Sequence, residues 1–563
     1  MSRALTLIAL VALAGCTEAP PAKKPAPAQN AGGTGAQNTA GGHAGGSTTA
    51  GPDPVTTIRV TGGAPGVILL TPREYDAALR VVVQDTTAPS RQLPNAVDPD
   101  TNHPFDNLWD VTVVSAPKVQ TYEMLAAEVT TRLLADTARL QRVLACIPSS
   151  TTDRACFANI VRRLGLHALK RPLTSTEQTA FTDAFATFAT QGNDWKKGLE
   201  VVARTLLQHP DFLFRFEVGT PLDARKTLFE LNPFELAAKL SFTLWGEPPS
   251  LALLDQAANG DLASADARAR IIDAMLADPR AAEHVATFHA QWLGYSKLAH
   301  ATEPLEKSLN AEARAMVKRV VFEEDREWRD LIELDEAFTD AALSAHYGLA
   351  APATATGWVK QTDTRRIGLF GTGAFMAANA GFGDTSVTKR GYNIRKNLFC
   401  ELVPPPPVDI DISMPLVDTS GGSRCKPQIR AATVLREGTQ CQGCHQKMDY
   451  IGFGLEQYSP TGKFRTAQPG AAECPIDGEG EVVGHGKFNG PTAMARLAME
   501  RGRLDRCLVQ RWLQFSNRNK NDANLDTLTG AALLSFREDG KLKGFIRRFA
   551  LSDSFRHRST LEQ

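Results

Sequence analysis

Cysteine is scarce in this sequence, with nine in 563 residues, too few for a fold that depends on a dense disulfide framework. A charge excess is missing altogether. Lys and Arg number 62 against 62 Asp and Glu, which argues against a nucleic-acid partner, because such proteins carry a basic excess or stripe. After the first sixteen residues there is no apolar run of the roughly 18 residues that a spanning helix needs. No repeat of fixed period is present, and no Gly-x-Ser-x-Gly elbow. Gly371-Thr372-Gly373 lacks the Lys-Ser/Thr of a phosphate loop. The length alone implies about three or four domains.

Thr17–Asp53 contains no aromatic residue and no Leu, Ile or Val. A segment of Ala, Gly, Pro, Thr, Gln and Asn cannot bury enough apolar surface to offset its ordering entropy, so it reads as a flexible tether. Before it, Arg3 and the short apolar run Ala4–Leu13 form a signal-peptide pattern. That run ends in Leu13-Ala14-Gly15-Cys16, which resembles a bacterial lipobox. Residues 1–15 are therefore expected to be a signal peptide and 16–54 a tether lipidated at Cys16. The expected location is the bacterial cell envelope, anchored by lipid, with a lean to the outer membrane because Thr17 is not the aspartate of inner-membrane retention. In an exported chain the remaining cysteines are free to pair.

Helix signals dominate the rest of the chain. Thr71-Pro72-Arg73-Glu74, Thr174-Ser175-Thr176-Glu177 and Asn232-Pro233-Phe234-Glu235 each combine a cap with a glutamate three residues on. Apolar residues then recur at helical spacing, as in Tyr75, Leu79, Val82 and in Leu236, Leu240, Leu244. Strand signals are few, with one short extended piece at Val55–Val60. The fold class expected is mainly α: a multi-domain helical body with a C-terminal c-type cytochrome-like helical segment. Glu217–Asp223 reads as a hinge, Glu312–Leu349 as a long helical region and Pro404–Pro407 as a stiff spacer. The divisions expected are 55–220 and 221–350 as helical domains, 351–470 as a proline-spaced cytochrome-like domain, and 471–563 as a C-terminal helical domain.

Cys441-Gln442-Gly443-Cys444-His445 is a c-type haem attachment signature. Two thiols at this spacing form thioethers with the haem vinyl groups, and the adjacent His445 supplies the proximal iron ligand. The same residues have other uses: a disulfide between the two cysteines, or zinc held together with Cys425. Met448 is too close in sequence to reach the opposite haem face. Distal candidates are His485, Met494, Met499 and Met414. A distal ligand favours electron transfer with a redox partner protein, whereas an open iron favours oxidase or peroxidase chemistry. A third reading is a haem-free surface binding or scaffold protein.

Cys441, Cys444, His445, Asp449, Gly452, Phe453, Leu455, Glu456, Tyr458, Gly462 and Arg465 resemble the pattern C-x-x-C-H-x-x-x-D-P-x-G-F-x-L-E-x-F/Y-D-x-x-G-x-x-R. That pattern marks the planctomycete and myxobacterial cytochrome-associated surface proteins, built from several domains of unknown function. Leu70–Asp76 with Phe105-Asp106-Asn107, Lys170–Thr174, His209–Leu213, Phe234–Trp245, Ala345–Gly348 and Arg390-Gly391 extend the resemblance in order along the body. It implies a secreted multi-domain protein with a cytochrome-like segment and supplies no activity. Tyr450 and Ser459 depart from the pattern's proline and aspartate, which puts the loop after the haem-motif helix in question. Among the other cysteines, Cys146 and Cys156 are expected to close a small loop; Cys400, Cys425, Cys474 and Cys507 allow three pairings, of which Cys474 with Cys507 is the one expected. Asp98-x-Asp100-x-Asn102 opens like a calcium loop but has His103 where glycine is required.

Overall fold

The three helix starts are built as their residues require. Thr71, Thr174 and Asn232 stand in extended backbone, and each side chain accepts from the amide of the glutamate three residues on. Glu74, Glu177 and Glu235 accept in return from the cap's own amide. Two helix-end donors are thus satisfied at each start.

The computed structural model describes residues 66–94, 104–298, 301–361, 366–380, 384–404 and 424–560. Cys16, Val55–Val60, Asp98–Asn102, Pro405, Pro406, Pro407 and Met414 lie outside these residues.

The principal helices, labelled in chain order, are α1 (Pro72–Val83), α2 (Ala116–Ala135), α3 (Arg154–Leu169), α4 (Ser175–Gln191), α5 (Trp195–Gln208) and α6 (Pro233–Leu244). They continue as α7 (Pro279–Trp292), α8 (Glu303–Lys318), α9 (Val387–Leu398), α10 (Gln442–Phe453), α11 (Gly490–Glu500), α12 (Arg503–Asn517), α13 (Leu525–Arg537) and α14 (Leu542–Leu551). The architecture is mainly helical. No described helix is long and apolar enough to cross a membrane.

Two large cores organise these elements. The first gathers Tyr75, Val129, Phe157, Phe185 and Leu206 from α1–α5. The second runs from Phe105 to Phe555 and holds Trp292, Trp328 and Trp512. Helix α6 is buried almost all round, as a helix between two apolar bodies must be. Its Ala238 and Phe242 belong to the first core, its Leu236, Leu240 and Leu244 to the second.

Strands are short. β1 (Val67–Leu69) pairs antiparallel with β2 (Phe214–Phe216). β3 (Thr220–Pro221) and the C-terminal β11 (His557–Ser559) flank β4 (Leu228–Glu230). The segment read as a hinge is therefore stitched into a three-stranded sheet, with Glu217 buried against Arg215 and Lys239. The region Glu312–Leu349 is not one helical stretch. After α8 a single π turn, Arg319–Glu323, leads to β5 (Glu336–Asp340), which pairs with β6 (Thr356–Lys360). The helical period broke there because Thr339 and Phe338 alternate in and out along a hairpin. Beyond α10, β7 (Ala467–Gln468) pairs with β8 (Ala471–Pro475), and β9 (Glu479–Val482) with β10 (Gly486–Asn489).

Three disulfides tie the fold: Cys146–Cys156, Cys400–Cys507 and Cys425–Cys474. The expected pairing of Cys474 with Cys507 is corrected. Cys507 is fully buried on α12 beneath the end of α9 and meets Cys400, just past α9. Cys474 sits on the β7–β8 hairpin, where with Ala471 it forms a small separate core around Cys425.

Candidate functional site

Cys441 caps α10, and Cys444 and His445 fall in its first turn. Offsets of three and four residues put all three on one helical face. That face is half-exposed, whereas Met448, Asp449, Ile451 and Gly452 behind it are buried. Both thiols are free. Cys425 is committed to its disulfide, so it is no thiolate ligand for zinc alongside them. A Cβ built on Gly443, between the two cysteines, meets nothing within 4 Å.

The ring of His445 is oriented from behind. Asp449, fully buried one turn later, lies 3.1 Å from His445 Nδ1. A carboxylate only accepts, so Nδ1 carries the proton and donates, leaving the Nε2 lone pair free to accept or to ligate. Thr388 Oγ1 donates to Asp449 at 2.7 Å, and the Arg430 guanidinium is 3.4 Å away. The thiols, the open space beside Gly443 and a ring held by its far nitrogen together fit a covalent haem, whose ligating histidine characteristically donates its other N–H.

Helix α9 supports α10 from below. A Cβ on Gly391 would lie 1.7 Å from Met448 O, and one on Gly452 2.0 Å from Val387 O. Both glycines exist because the two backbones touch. Arg390, wholly buried, donates to the carbonyls of Leu455 and Tyr458 and clamps the chain leaving α10. The far end of α9 is held as firmly. Arg511 Nη2 donates to Lys396 O and Trp292 Nε1 to Asn397 O, satisfying carbonyls that a helix end leaves unpaired.

A polar clasp closes the loop after α10. Lys426 Nζ donates to Asp384, Thr385 and Glu456 at 2.7–2.9 Å, and Arg465 reaches the same three side chains. Burial works against the Asp384 charge, yet Lys426 and Arg465 outweigh it and hold the carboxyl down to about 2. Ser459, at the position of the pattern's aspartate, closes a turn: its Oγ accepts from the amides of Thr461 and Lys463.

Of the distal candidates, Met414 lies outside the described residues, and the other three are held by their own neighbours. Met494 is fully buried on α11, and Met499 packs on the same large core. His485 lies in the β9–β10 turn, where it meets Glu401 at 3.2 Å and stacks near Phe399. Sequence reasoning named Asp449, Gly452 and Gly391 only as pattern residues without a role, and it did not single out Thr388. The i, i+4 spacing of His445 and Asp449 was the signal available for the first.

These features define a mainly helical, multi-segment protein with a Cys-x-x-Cys-His helix at its surface. Four family models match in chain order, each described as a protein of unknown function: PSD3 (DUF1587) over residues 69–135, PSD5 (DUF1595) over 156–217, PSD4 (DUF1592) over 231–349 and PSCyt3 (DUF1588) over 366–468. Together they support the planctomycete cytochrome-associated family. The PSCyt3 segment contains α9, Cys441, Cys444, His445 and Asp449. No curated protein and no solved structure matches the chain.

Proposed function

We propose that Cys441 and Cys444 hold one haem c covalently, with His445 Nε2 as proximal ligand, in an envelope protein anchored by lipid at Cys16. Its role is electron transfer with a redox partner at the cell envelope. The observation that carries this reading is the free thiol pair on one helical face with the His445 ring, whose other nitrogen is taken by buried Asp449. The haem supplies a one-electron centre when bound. The chain itself fixes the tautomer, aims the ring and ties the supporting helix α9 at both ends.

The test is a pyridine haemochrome spectrum of the protein made with c-type maturation machinery. A two-thioether haem is expected, lost in Cys441→Ser/Cys444→Ser and strongly perturbed in His445→Ala. A haem-free wild type from a maturation-competent host sinks the proposal. A reduced protein that binds CO instead points to haem-dependent oxidative chemistry on an extracytoplasmic substrate. A cleft of small-molecule size on the opposite side of α9 from the motif favours that second reading.

A further inference from the structure

Helix α9 stands between two surfaces. Val387, Gly391 and Arg395, four residues apart, face α10. Lys389, Asn393, Lys396 and Asn397 form the opposite stripe and line a cleft of about 800 Å³ shared with α1, α7 and α8. That volume is typical of small-molecule sites.

The cleft is charged as the rest of the chain is not. Seven Lys and Arg side chains line it against three carboxylates, Asp106, Glu247 and Glu283, in a protein of zero net charge. The carboxylates are oversubscribed. Glu247 serves both Arg80 and Arg280, and Glu283 serves both Arg314 and Lys318.

One end of the cleft is under-satisfied. Arg73 Nη2 comes only within 3.6 Å of Asp106. Arg73 Nε and Nη2 and His284 Nε2 are buried with no hydrogen-bond partner. Buried polar atoms in that condition are costly and rare in native folds. His284 is 4% exposed. Burial first, then the charges of Arg73, Arg518, Arg215 and Arg314, push it well below the usual imidazole range, so it is neutral at pH 7.

Gly246 lets the chain pass this point. A Cβ there would sit 2.5 Å from His284 Nδ1 and 2.9 Å from Arg73 Nη1, on a backbone with φ +67°. Next to it, Trp245 lies 3.6 Å beneath the Arg280 guanidinium, and Trp292 adds a buried aromatic wall.

We propose that this cleft binds a small organic oxyanion, its carboxylate, sulfonate or phosphate head at Arg73 and its flat apolar body along the tryptophan side. A planar guanidinium with unused donors suits an oxyanion head. Such a ligand sits one helix width, about 10–12 Å, from the face of α9 that supports α10. Its service as the small-molecule side of a haem centre rests on the function proposed above; its binding does not.

The test titrates the full-length protein by calorimetry with 1-naphthoate, its neutral isostere 1-naphthamide, and inorganic phosphate. Naphthoate is expected to bind at one site with Kd at or below about 1 mM, at least about tenfold tighter than the amide. Arg80→Gln/Lys389→Gln, both at the exposed rim, should weaken it about five- to tenfold at low salt with only a small change in thermal midpoint. Arg73→Lys keeps the charge, loses the fork, and should weaken it in any salt. No binding by naphthoate, equal binding by the amide, or indifference to both variants overturns the proposal. Phosphate binding as tightly as naphthoate overturns the apolar half of it. The haem-free Cys441→Ser/Cys444→Ser protein should bind naphthoate with the same affinity, so a failed haem reading and a failed cleft are told apart.

Discussion

His445 and Asp449 are one helical turn apart, and the proton between them decides which ring nitrogen faces outward. Asp449→Asn keeps the shape and removes the charge. With His445 as the proposed haem ligand, the change makes that ligand less basic, and the reduction potential should rise on the order of tens of millivolts. A redox titration measures this, with an unchanged haemochrome spectrum as control for attachment. Glu312 offers a pH-dependent counterpart. Burial pushes its carboxyl up to about 7, against the hydrogen bond from Tyr347 and the Arg366 charge. An acid raised in the folded state stabilises fully below its unfolded value of 4.5 and loses that contribution as pH rises to about 7. Glu312→Gln keeps an acceptor for Tyr347. It should flatten the decline in thermal midpoint between these pH values and, above pH 7, exceed the wild type by up to about 3 kcal/mol. An unaltered slope would show that Glu312 is ionised throughout.

Helix α9 meets α10 backbone to backbone, and a methyl group at the crossing has nowhere to go. Gly391→Ala would gain about 1 kcal/mol of helix propensity but must push Met448 O away from a 1.7 Å approach. We expect a net loss of about 1–3 kcal/mol or more, read from urea midpoints, while Gly443→Ala, with open space around it, should be near neutral. Elements of this kind mark how far the sequence was readable. The capping boxes at Thr71, Thr174 and Asn232 were legible because a cap is a local event of four residues. The Cys441–His445 face was legible because offsets of three and four residues share one side of a helix. The β5–β6 hairpin was not, since Glu336–Asp340 forms a strand only against a partner twenty residues on. The partners of Cys400, Cys425, Cys474 and Cys507 were equally out of reach, because four cysteines allow three pairings and only tertiary packing chooses. Nor could the basic cleft be seen, as Arg73, His284 and Lys396 converge from helices scattered over more than half of the chain.

The molecule is closed by links of long reach. Cys400–Cys507 spans 107 residues and pins the end of α9 to α12. Replacing both cysteines by serine should cost about 4–5 kcal/mol in the chain-entropy account, measured as a shift in denaturation midpoint, whereas reduction of the ten-residue Cys146–Cys156 loop should cost less. Longer still is the ion pair of Glu74 with Arg518, 444 residues apart and both about 1% exposed. Around it, Arg215, Glu217 and Lys239 are buried in the same network. Meanwhile the last strand, β11, completes the sheet begun by β3 and β4.

That ion pair sets a timetable. A growing chain that has made the first core has Glu74 beside Arg73 and Arg215 but without its ion-pair partner Arg518, and a buried charge that lacks its partner is costly. The first core is therefore expected to be less tightly held until residue 518 arrives. Contacts so distant in sequence also make closure slow. The interval between synthesis and closure is a stretch of time in which Cys441 and Cys444 are reachable on an unlocked chain, and a truncation before Arg518 should leave a protein that never leaves that state.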